Sequence, residues 1–529
     1  MRLACLALLI AAPHAGAGRI HVSALQTQGA NDGSSWADAH RGPHALQAAL
    51  LRAQAGDEIW VAQGVYLPSN TGDASQSFVL KAGVAVLGGF AGGETHSSQA
   101  QPRILATILS GDLAQDDALG RFADNSSHVL KSGTADAATR LDGLVITGGW
   151  LAGYLGSNAD PSMVRCTFRA NHGPAVQLVQ NARGAFDSCR FERNTAPQGS
   201  AIDLLAAGPS EFINCVVAQN TVTTLAGGTI LCGSAPARFL HLTLADNLAP
   251  PGGSAGLHGN AATAVENSIL WNNTGGDGNA GDVRSSCLAT APLGPHCLRA
   301  QPLFLDSVRG DYRLSPVSPC VDRGNGSAPG LPVLDPEGLP RMIDQPGMPD
   351  LGVGLVRHVD LGAHEAQLSS HTPLCWGDGT QFTPCPCASG ALGRGCANSL
   401  PGGLGALLNA TGDTQPDTLG LQVTGVPEGA LCVFLSGSNG GIGMPFGDGV
   451  LCSEGVVRRL FVRQAVEGNA RVPDLHAGEP KLGERSAELG DPIPPGQIRY
   501  YQVWYRDAVA AHCPQGGLFN VSSGVIVYW

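Results

Sequence analysis

Positive charge, aromatic side chains and long apolar runs are all scarce in this chain of 529 residues. The lysines are only Lys81, Lys131 and Lys481, and the formal net charge is −12. A protein that follows a nucleic-acid backbone needs a basic surface, so the composition argues against a nucleic acid as partner. Beyond the first residues no stretch approaches about 18 uninterrupted apolar residues, so we expect no transmembrane helix.

Glycine, by contrast, is abundant. The chain has 73 glycines, whereas aromatic residues make up 5% and charged residues 14% of it. This balance suits a fold of tight coils joined by small turns, in which few bulky side chains are needed per unit of length.

A nine-residue block recurs five times between residues 163 and 273. Each copy has a small, sulfur or apolar residue, then an apolar residue two positions later, and it closes on asparagine. The closing asparagines lie 23, 26, 27 and 26 residues apart: Asn171, Asn194, Asn220, Asn247 and Asn273. A period of this length is typical of a stacked repeat architecture.

The repeat predicts a parallel β-helix. A spacing of two places both apolar side chains on one face of a strand, and one such strand cannot bury that face alone. Stacking successive coils about 4.8 Å apart forms continuous inward columns. We expect the asparagines to end the strands in the left-handed conformation and to form an amide ladder. Cys166, Cys189 and Cys215 fall in one inward column, where we expect buried thiols.

The chain divides into four predicted parts. Residues 1–17 are typical of a secretory signal peptide, with Arg2, an apolar core and an Ala-Gly-Ala cleavage site. Residues 18–366 form the β-helix, with an entry cap that includes a helix from about His44 to Gln54 and an exit cap over 301–366. Residues 367–373 are a linker. Residues 374–529 form a smaller β-rich, sandwich-like domain, because strand pattern and cysteine spacing change there.

Export would allow disulfides among the 14 cysteines that follow the signal. In the first half, Cys287 and Cys297 flank a proline-containing loop and are the best candidate pair. Seven cysteines lie beyond residue 370, so one stays free or pairs elsewhere. A zinc site is the alternative for Cys385, Cys387 and Cys396, but the loop-rich context favours disulfides.

The repeats give no support to a catalytic site. A polysaccharide lyase would need acids of adjacent coils converging on Ca²⁺ with a nearby base, and an inverting hydrolase would need two carboxylates about 6.5–9.5 Å apart. In register, no column of the block brings two carboxylates together on neighbouring coils. Convergence from the intervening loops, for example at Asp203, is left open. We therefore assign no catalytic residue and no cofactor-binding residue.

The densest acidic stretch is the one candidate for a metal. Asp112, Asp116 and Asp117, with Asp124 beyond them, could hold Ca²⁺ because carboxylates spaced along a glycine-containing loop suit that ion. The alternative is a solvated turn whose aspartates cap backbone amides, and the absence of the EF-hand ligand order favours it.

Several motifs resemble secreted bacterial parallel β-helix repeat proteins. They include Asn31-Asp-Gly-Ser-Ser-Trp36, Leu141-Asp-Gly-Leu-Val-Ile-Thr-Gly-Gly149, the Cys-x-Phe-x-x-Asn blocks, and the run from Asp311-Tyr-Arg-Leu314 to Glu365. The match covers about residues 19–366 and is similar to polymorphic outer-membrane-protein passenger domains and to planctomycete-type surface proteins. It implies export and a right-handed β-helix, and it implies no particular reaction.

These observations favour a secreted or cell-surface protein that is not an enzyme, with outer-membrane association as a further option for its location. Its role would be adhesion, surface interaction or carbohydrate binding, with polysaccharides or cell-surface components as partners. The alternative is a polysaccharide lyase or glycoside hydrolase that acts from an outer face of the β-helix.

Overall fold

The computed structural model describes residues 18–205, 207–290, 293–316, 318–345, 348–367, 371–377, 383–391, 393–414, 416–494, 497–508 and 517–529. The predicted signal peptide, Cys513 and part of the predicted linker lie outside these residues. The chain forms two compact units, residues 1–367 and 368–529.

The first unit is a parallel β-helix, as the repeat predicts. It has three long sheets, and each of its central coils contributes one short strand to each sheet. Sheet 1 contains, in spatial order, His40–Arg41, Arg19–Ser23, Glu58–Ala62, Ala85–Phe90, Arg140–Asp142, Ser162–Val164, Ala185–Asp187, Ser210–Ile213, Ala237–Leu240, Thr263–Glu266 and Asp282–Arg284. Sheet 2 contains Gly64–Tyr66, Thr107–Ser110, Leu144–Thr147, Thr167–Arg169, Arg190–Glu192, Val216–Ala218, Thr243–Ala245, Ile269–Trp271 and Cys287–Leu288. Sheet 3 contains Phe78–Val79, His128–Lys131, Ala152–Ser157, Val176–Val179, Ile202–Asp203, Ile230–Leu231, Leu257–His258 and Gly278–Asn279.

The repeated block spans two strands, where the sequence suggested one. Met163 lies in sheet 1 and Phe168 in sheet 2, and Arg165 makes the corner between them with φ +50°. The block still keeps its register from coil to coil, because Phe168 pairs with Phe191 and the latter with Val217. Its apolar positions therefore form inward columns, and Phe168 stacks on Phe191 with ring centroids 5.3 Å apart.

The asparagines form a continuous buried ladder. Each Nδ2 donates to the Oδ1 of the next asparagine, at 2.8 Å from Asn171 to Asn194, 2.9 Å to Asn220, 3.0 Å to Asn247 and 2.8 Å to Asn273. The backbone N–H group of each of the first four asparagines also donates to the side-chain Oδ1 of the next asparagine in the ladder. The ladder therefore saturates polar groups at a corner where water has no access.

The expectation that these asparagines adopt the left-handed conformation was wrong. The residue with positive φ at each corner is the one before the asparagine: Ala170, Arg193, Gln219, Asp246 and Asn272, all with φ of 50–56°. The left-handed residue makes the corner, and this leaves the asparagine side chain free to turn inward and bond along the stack.

The thiols of Cys166, Cys189 and Cys215 are free and buried in the core. The predicted pairing of Cys287 with Cys297 was wrong, because both are free thiols. Cys287 instead hydrogen-bonds through its thiol to Ala300 and lies in a small apolar cluster with Cys320.

The entry helix runs Ala45–Arg52, slightly shorter than the periodicity predicts, because Ala53 already has the extended ψ of 143°. Its buried face contains Leu46, Ala49 and Leu50, which join the β-helix core beside Val22. Short 3₁₀ helices lie at Ser97–Gln99, Asp117–Leu119 and Ser307–Arg309.

The segment 301–366, which we call the flank segment, was expected to cap the exit. It lies instead along the outer side of the coils. Gln219 bonds to the carbonyl of Ser307 at 2.9 Å, and Asn267 accepts the backbone N–H of Asn325 at 2.7 Å. The outward side chains of sheet 2 there are small or apolar, and Tyr312 packs on them. The segment includes an antiparallel pair, Phe304–Asp306 with Asp311–Leu314. In the coils, outside the three long sheets, Thr195–Ala196 forms a short parallel pair with Thr221–Val222.

The second unit is antiparallel. Its larger sheet contains His371–Leu374, Gly524–Tyr528, Ile498–Arg506, Leu431–Gly437 and Arg458–Gln464, with Phe519–Val521 beside Ile498–Arg506. The smaller sheets are Leu407–Thr411 with Gly420–Thr424 and Asn469–Val472, and Asn439–Phe446 with Gly449–Glu454. The helices are Leu482–Glu488 and the 3₁₀ turn Leu475–Ala477.

Disulfides staple this unit, as the cysteine spacing favoured. Cys375 bonds to Cys452 and Cys385 to Cys396, and Cys387 is also disulfide-bonded. The zinc alternative is therefore wrong.

No helix in the described parts of either unit has the length and apolar character needed to cross a membrane.

Candidate functional site

One corner of the β-helix carries partly exposed aromatic side chains in three successive coils, and partly exposed acidic side chains in the first of them. The chain turns there from sheet 2 to sheet 3 through residues 111–127, 148–151 and 170–175. Backbone bonds stack these turns, since Trp150 N–H donates to Ser126 at 2.9 Å and His172 N–H donates to Gly149 at 2.8 Å. We call this the corner surface.

The aromatic part of the corner surface consists of Phe122, Trp150 and His172. The rings of Phe122 and His172 have centroids 4.1 Å apart, and those of Trp150 and His172 lie 5.6 Å apart. Trp150 is 48% exposed and its neighbour Leu151 is 53% exposed. The apolar surface of an exposed indole stays in contact with water unless a partner covers it. An accessible aromatic patch of this kind therefore indicates a binding surface.

The acidic part comes from the first of these turns. Ligand oxygens of Asp112, Asp116 and Asp124 all lie within 4.8 Å of one another. The structure thus brings together two of the three aspartates that the sequence singled out, with Asp124 as the third member. Asp117 is not in this group, and its Oδ2 accepts a bond from Asn125 at 3.2 Å.

The same aspartates also serve the turn, as the competing interpretation expected. Asp112 accepts the backbone N–H groups of Asp116 at 3.0 Å and of Asp117 at 3.1 Å. Asp124 accepts the N–H of Ala114 at 2.6 Å. The turn is therefore built by its carboxylates, and a metal would bind to a loop that is already formed.

Several buried oxygens of this loop have no hydrogen-bond partner. They are Oδ1 of Asp116, Asp117 and Asn125. Burial is the largest cause that raises the pKa of the Asp117 carboxyl. Arg121 lies 3.6 Å from Asp116 but is largely exposed. Unpartnered carboxylate and amide oxygens are the ligands that Ca²⁺ prefers, so the donor set of this loop fits that ion.

A concavity lies on the outer face of sheet 1. It is a cavity of about 230 Å³ lined by Glu58, Arg140, Asp142 and Arg165 among others. Arg165 holds Asp142 through two bonds of 2.8 and 2.9 Å, and Arg140 adds a third at 2.6 Å. Glu58 accepts the indole N–H of Trp60 at 2.8 Å. Both carboxylates are thus engaged, and this groove presents guanidinium groups rather than a free acid.

The outward columns of sheet 1 keep their carboxylates apart. Val164 pairs with Asp142 on one side and with Asp187 on the other, so an apolar coil separates the two acids. Asp203, the loop candidate, pairs with Gln177 and Leu231 in sheet 3 and is 5% exposed. Its Oδ2 accepts a bond from Gln177 at 3.2 Å. These positions do not supply the paired carboxylates that a hydrolase requires.

Sequence analysis missed the aromatic part of the corner surface. A usable pattern existed, because Thr147 pairs with Arg169 and the register places Gly149 opposite Asn171. Extending the repeat by one coil towards the N-terminus therefore places Trp150 and His172 in one column. Phe122 lies in a loop outside the repeat, and no sequence periodicity predicts its position.

Comparisons with known proteins return structures only. The solved structures that the chain resembles include pectate lyase Pel9A, with a TM-score of 0.40, 12% identity, and coverage of 66% of this chain and 97% of that one. They also include the deglycosylated pectin methylesterase from Aspergillus niger, with a TM-score of 0.25, 15% identity, and coverage of 54% and 84%. No protein-family model and no curated protein matches the chain. The chain is a parallel β-helix protein. Both similarities are too remote to assign it an activity.

Proposed function

We propose that this protein is an exported, non-catalytic β-helix protein that binds carbohydrate through the corner surface. The observation that carries the proposal is the half-exposed Trp150, which lies in one column with His172. Its backbone N–H bonds to Ser126 in the turn that carries Asp112, Asp116 and Asp124.

The chemistry of the corner surface suits a sugar. The C–H face of a pyranose packs on an aromatic ring, and the hydroxyl groups around it need hydrogen-bond acceptors. Trp150 and Leu151 supply the apolar contact, and the neighbouring aspartates supply the acceptors. Ca²⁺ held by Asp112, Asp116 and Asp124 would in addition coordinate sugar hydroxyls or carboxylates.

Two observations support a binding role over catalysis. The three clustered acids come from one turn of one coil, so they do not flank a substrate from opposite sides. In the groove of sheet 1 the carboxylate of Asp142 is already paired with Arg140 and Arg165. A general acid or base needs a free carboxyl group within reach of the substrate, and the paired Asp142 does not offer one.

The location rests on the disulfides and on the resemblance. Disulfides persist in oxidising compartments. The second unit has two, Cys375–Cys452 and Cys385–Cys396, and its Cys387 is also disulfide-bonded. The resemblance to secreted bacterial surface proteins supports export to the cell surface or outer membrane. Mass spectrometry of the mature N-terminus in the native host tests the cleavage after Ala17; an intact Met1 would contradict it.

The binding proposal is tested with Trp150→Ala. We expect at least a tenfold weaker affinity, about 1.4 kcal/mol, for the polysaccharides that the wild type retains in affinity electrophoresis. Leu248→Ala is the matched control, since Leu248 is 55% exposed and directly follows a ladder asparagine, as His172 does. Equal retention of the wild type and Trp150→Ala would contradict the proposal.

A polysaccharide lyase or glycoside hydrolase is the alternative, favoured by the meeting of three carboxylates with Arg121 in one loop. It predicts unsaturated products or new reducing ends on incubation with acidic polysaccharides and Ca²⁺. It also predicts that Asp116→Asn with Asp124→Asn abolishes this turnover.

A further inference from the structure

Three carboxylates of the flank segment meet at a point far from the corner loop in sequence. Ligand oxygens of Asp322, Asp344 and Asp350 all lie within 4.8 Å of one another. Asp322 is fully buried, whereas Asp344 and Asp350 are exposed. None of the ion pairs between described side chains involves these three residues.

Asp322 has one unsatisfied oxygen. Its backbone N–H donates to Asp360 Oδ1 at 2.9 Å, its carbonyl accepts from Leu351 at 3.0 Å, and its Oδ2 accepts from Gln345 at 3.4 Å. Its Oδ1 is buried and has no hydrogen-bond partner. An unpaired carboxylate oxygen in a buried place is costly, and such exceptions call for a missing partner.

Two further buried carboxyl groups lie behind Asp322. Asp360 and Glu365 are buried, and the Nη1 of the buried Arg341 lies 3.3 Å from Glu365. The carboxylates of Asp322, Asp344 and Asp350 therefore meet with no cationic side chain of the described residues paired to them.

We propose that Asp322, Asp344 and Asp350 bind a calcium ion. Asp322 would supply its unpartnered oxygen from the buried side, the two exposed aspartates would supply theirs from the surface, and water would complete the coordination shell. A hard cation with flexible geometry fits better than Mg²⁺, which requires a near-ideal octahedron. This site is independent of the corner surface and of the proposed carbohydrate binding.

The ion would fasten two parts of the flank segment. Backbone bonds already join them, from Leu351 to Asp322 and from Val353 to Gly324, both at 3.0 Å. Glu365 in turn accepts the N–H groups of Met342 and Ile343 at 3.1 Å, directly before Asp344. Calcium would therefore hold this loop against the buried polar network that anchors the segment to the coils.

The test is calorimetric titration of CaCl₂ into the EDTA-treated, dialysed full-length protein. We expect Asp344→Asn with Asp350→Asn to bind one Ca²⁺ fewer per chain than the wild type. Calcium should also protect the amides of residues 348–353 from hydrogen exchange in the wild type and not in this variant. Asp160→Asn, which removes one exposed carboxylate elsewhere in the unit, is the control and should match the wild type.

A second double variant, Asp116→Asn with Asp124→Asn, distinguishes calcium binding at the corner loop from binding at Asp322. It should retain the calcium bound at Asp322. If the first double variant does not fold, Asp350→Asn alone is measured, and roughly tenfold weaker binding at one site is expected. An unchanged stoichiometry and affinity in the Asp344 and Asp350 variants would overturn the proposal. So would calcium binding that only the corner-loop variant abolishes.

Discussion

The imidazole of His364 occupies a position in which neither ring nitrogen has a hydrogen-bond partner. The residue is 3% exposed, and both Nδ1 and Nε2 are unpaired. Its Nδ1 lies 3.8 Å from a carboxylate oxygen of Glu337. Burial, reinforced by Arg190 and Arg341, nevertheless lowers its pKa to about 3. The ring is thus neutral near pH 7, and its proximity to Glu337 is not an ion pair there.

This histidine should make the protein sensitive to acid. The unfolded chain takes up the proton near pH 6.5 and the folded chain only near pH 3, so between these values the unfolded state binds more protons and stability falls as the pH falls. Buried acids with raised pKa act in the opposite direction, so the effect is isolated by difference. Relative to the wild type, His364→Phe should gain about 4 kcal/mol of unfolding free energy between pH 7 and pH 3.5.

Urea unfolding at a series of pH values measures this difference. His96→Phe, at an exposed position, is the control. A difference between His364→Phe and the wild type that does not change with pH would show that His364 is not held neutral by burial.

At the scale of the element, the asparagine ladder links the coils. Asn220 is fully buried; its Nδ2 donates to Asn247 and to the carbonyls of Phe191 and Ala218, and its Oδ1 accepts from Asn194. One side chain therefore bonds to residues of three coils. The left-handed residue before each asparagine turns the chain so that the asparagine side chain points inward. The ladder therefore depends on the corner conformation.

We expect Asn220→Ala to lower the free energy of unfolding by about 3 kcal/mol or more, because several buried donors and acceptors lose their partner at once. Asn279→Ala is the control, since Asn279 is exposed and makes one long bond of 3.4 Å to Gly259. Thermal and urea denaturation compare the two. A loss in Asn220→Ala no larger than in the control would mean that the ladder contributes no stability.

The elements that repetition specifies are those that the sequence predicts well. The columns of Cys189 and Phe191 and the closing asparagines follow from period and spacing alone. The corner at Arg165 was missed because a left-handed residue with a long side chain leaves no compositional mark, unlike glycine. The Cys287–Cys297 pair failed because proximity in sequence does not fix the direction of a side chain.

At the scale of the whole first unit, the flank segment could not be placed from sequence. Its contacts with the coils span about 60 to 120 residues and involve single side chains, such as Asn214 to Leu334 at 2.9 Å and Asn267 to Asn325. A periodic pattern carries no information on such pairs. The sequence did mark the acidic loop of Asp112, but only the stacking of the coils shows that Trp150 and His172 lie beside it.

The rigid coils thus hold short turns in fixed positions, and function is assigned to the turns. Three turns at one corner form the surface for which we propose sugar binding, and the acids of the outer sheet faces are separated or paired. This arrangement is consistent with recognition.

The most direct test combines binding and turnover in one experiment. The chain without residues 1–17 is incubated with a panel of acidic and neutral polysaccharides, with and without Ca²⁺, and retained polymer, unsaturated products and reducing ends are all measured. We predict that at least one polymer is retained, that Trp150→Ala weakens the retention, and that no products exceed the blank. Products above the blank, or retention that Trp150→Ala leaves unchanged, would contradict a non-catalytic binding role at the corner surface.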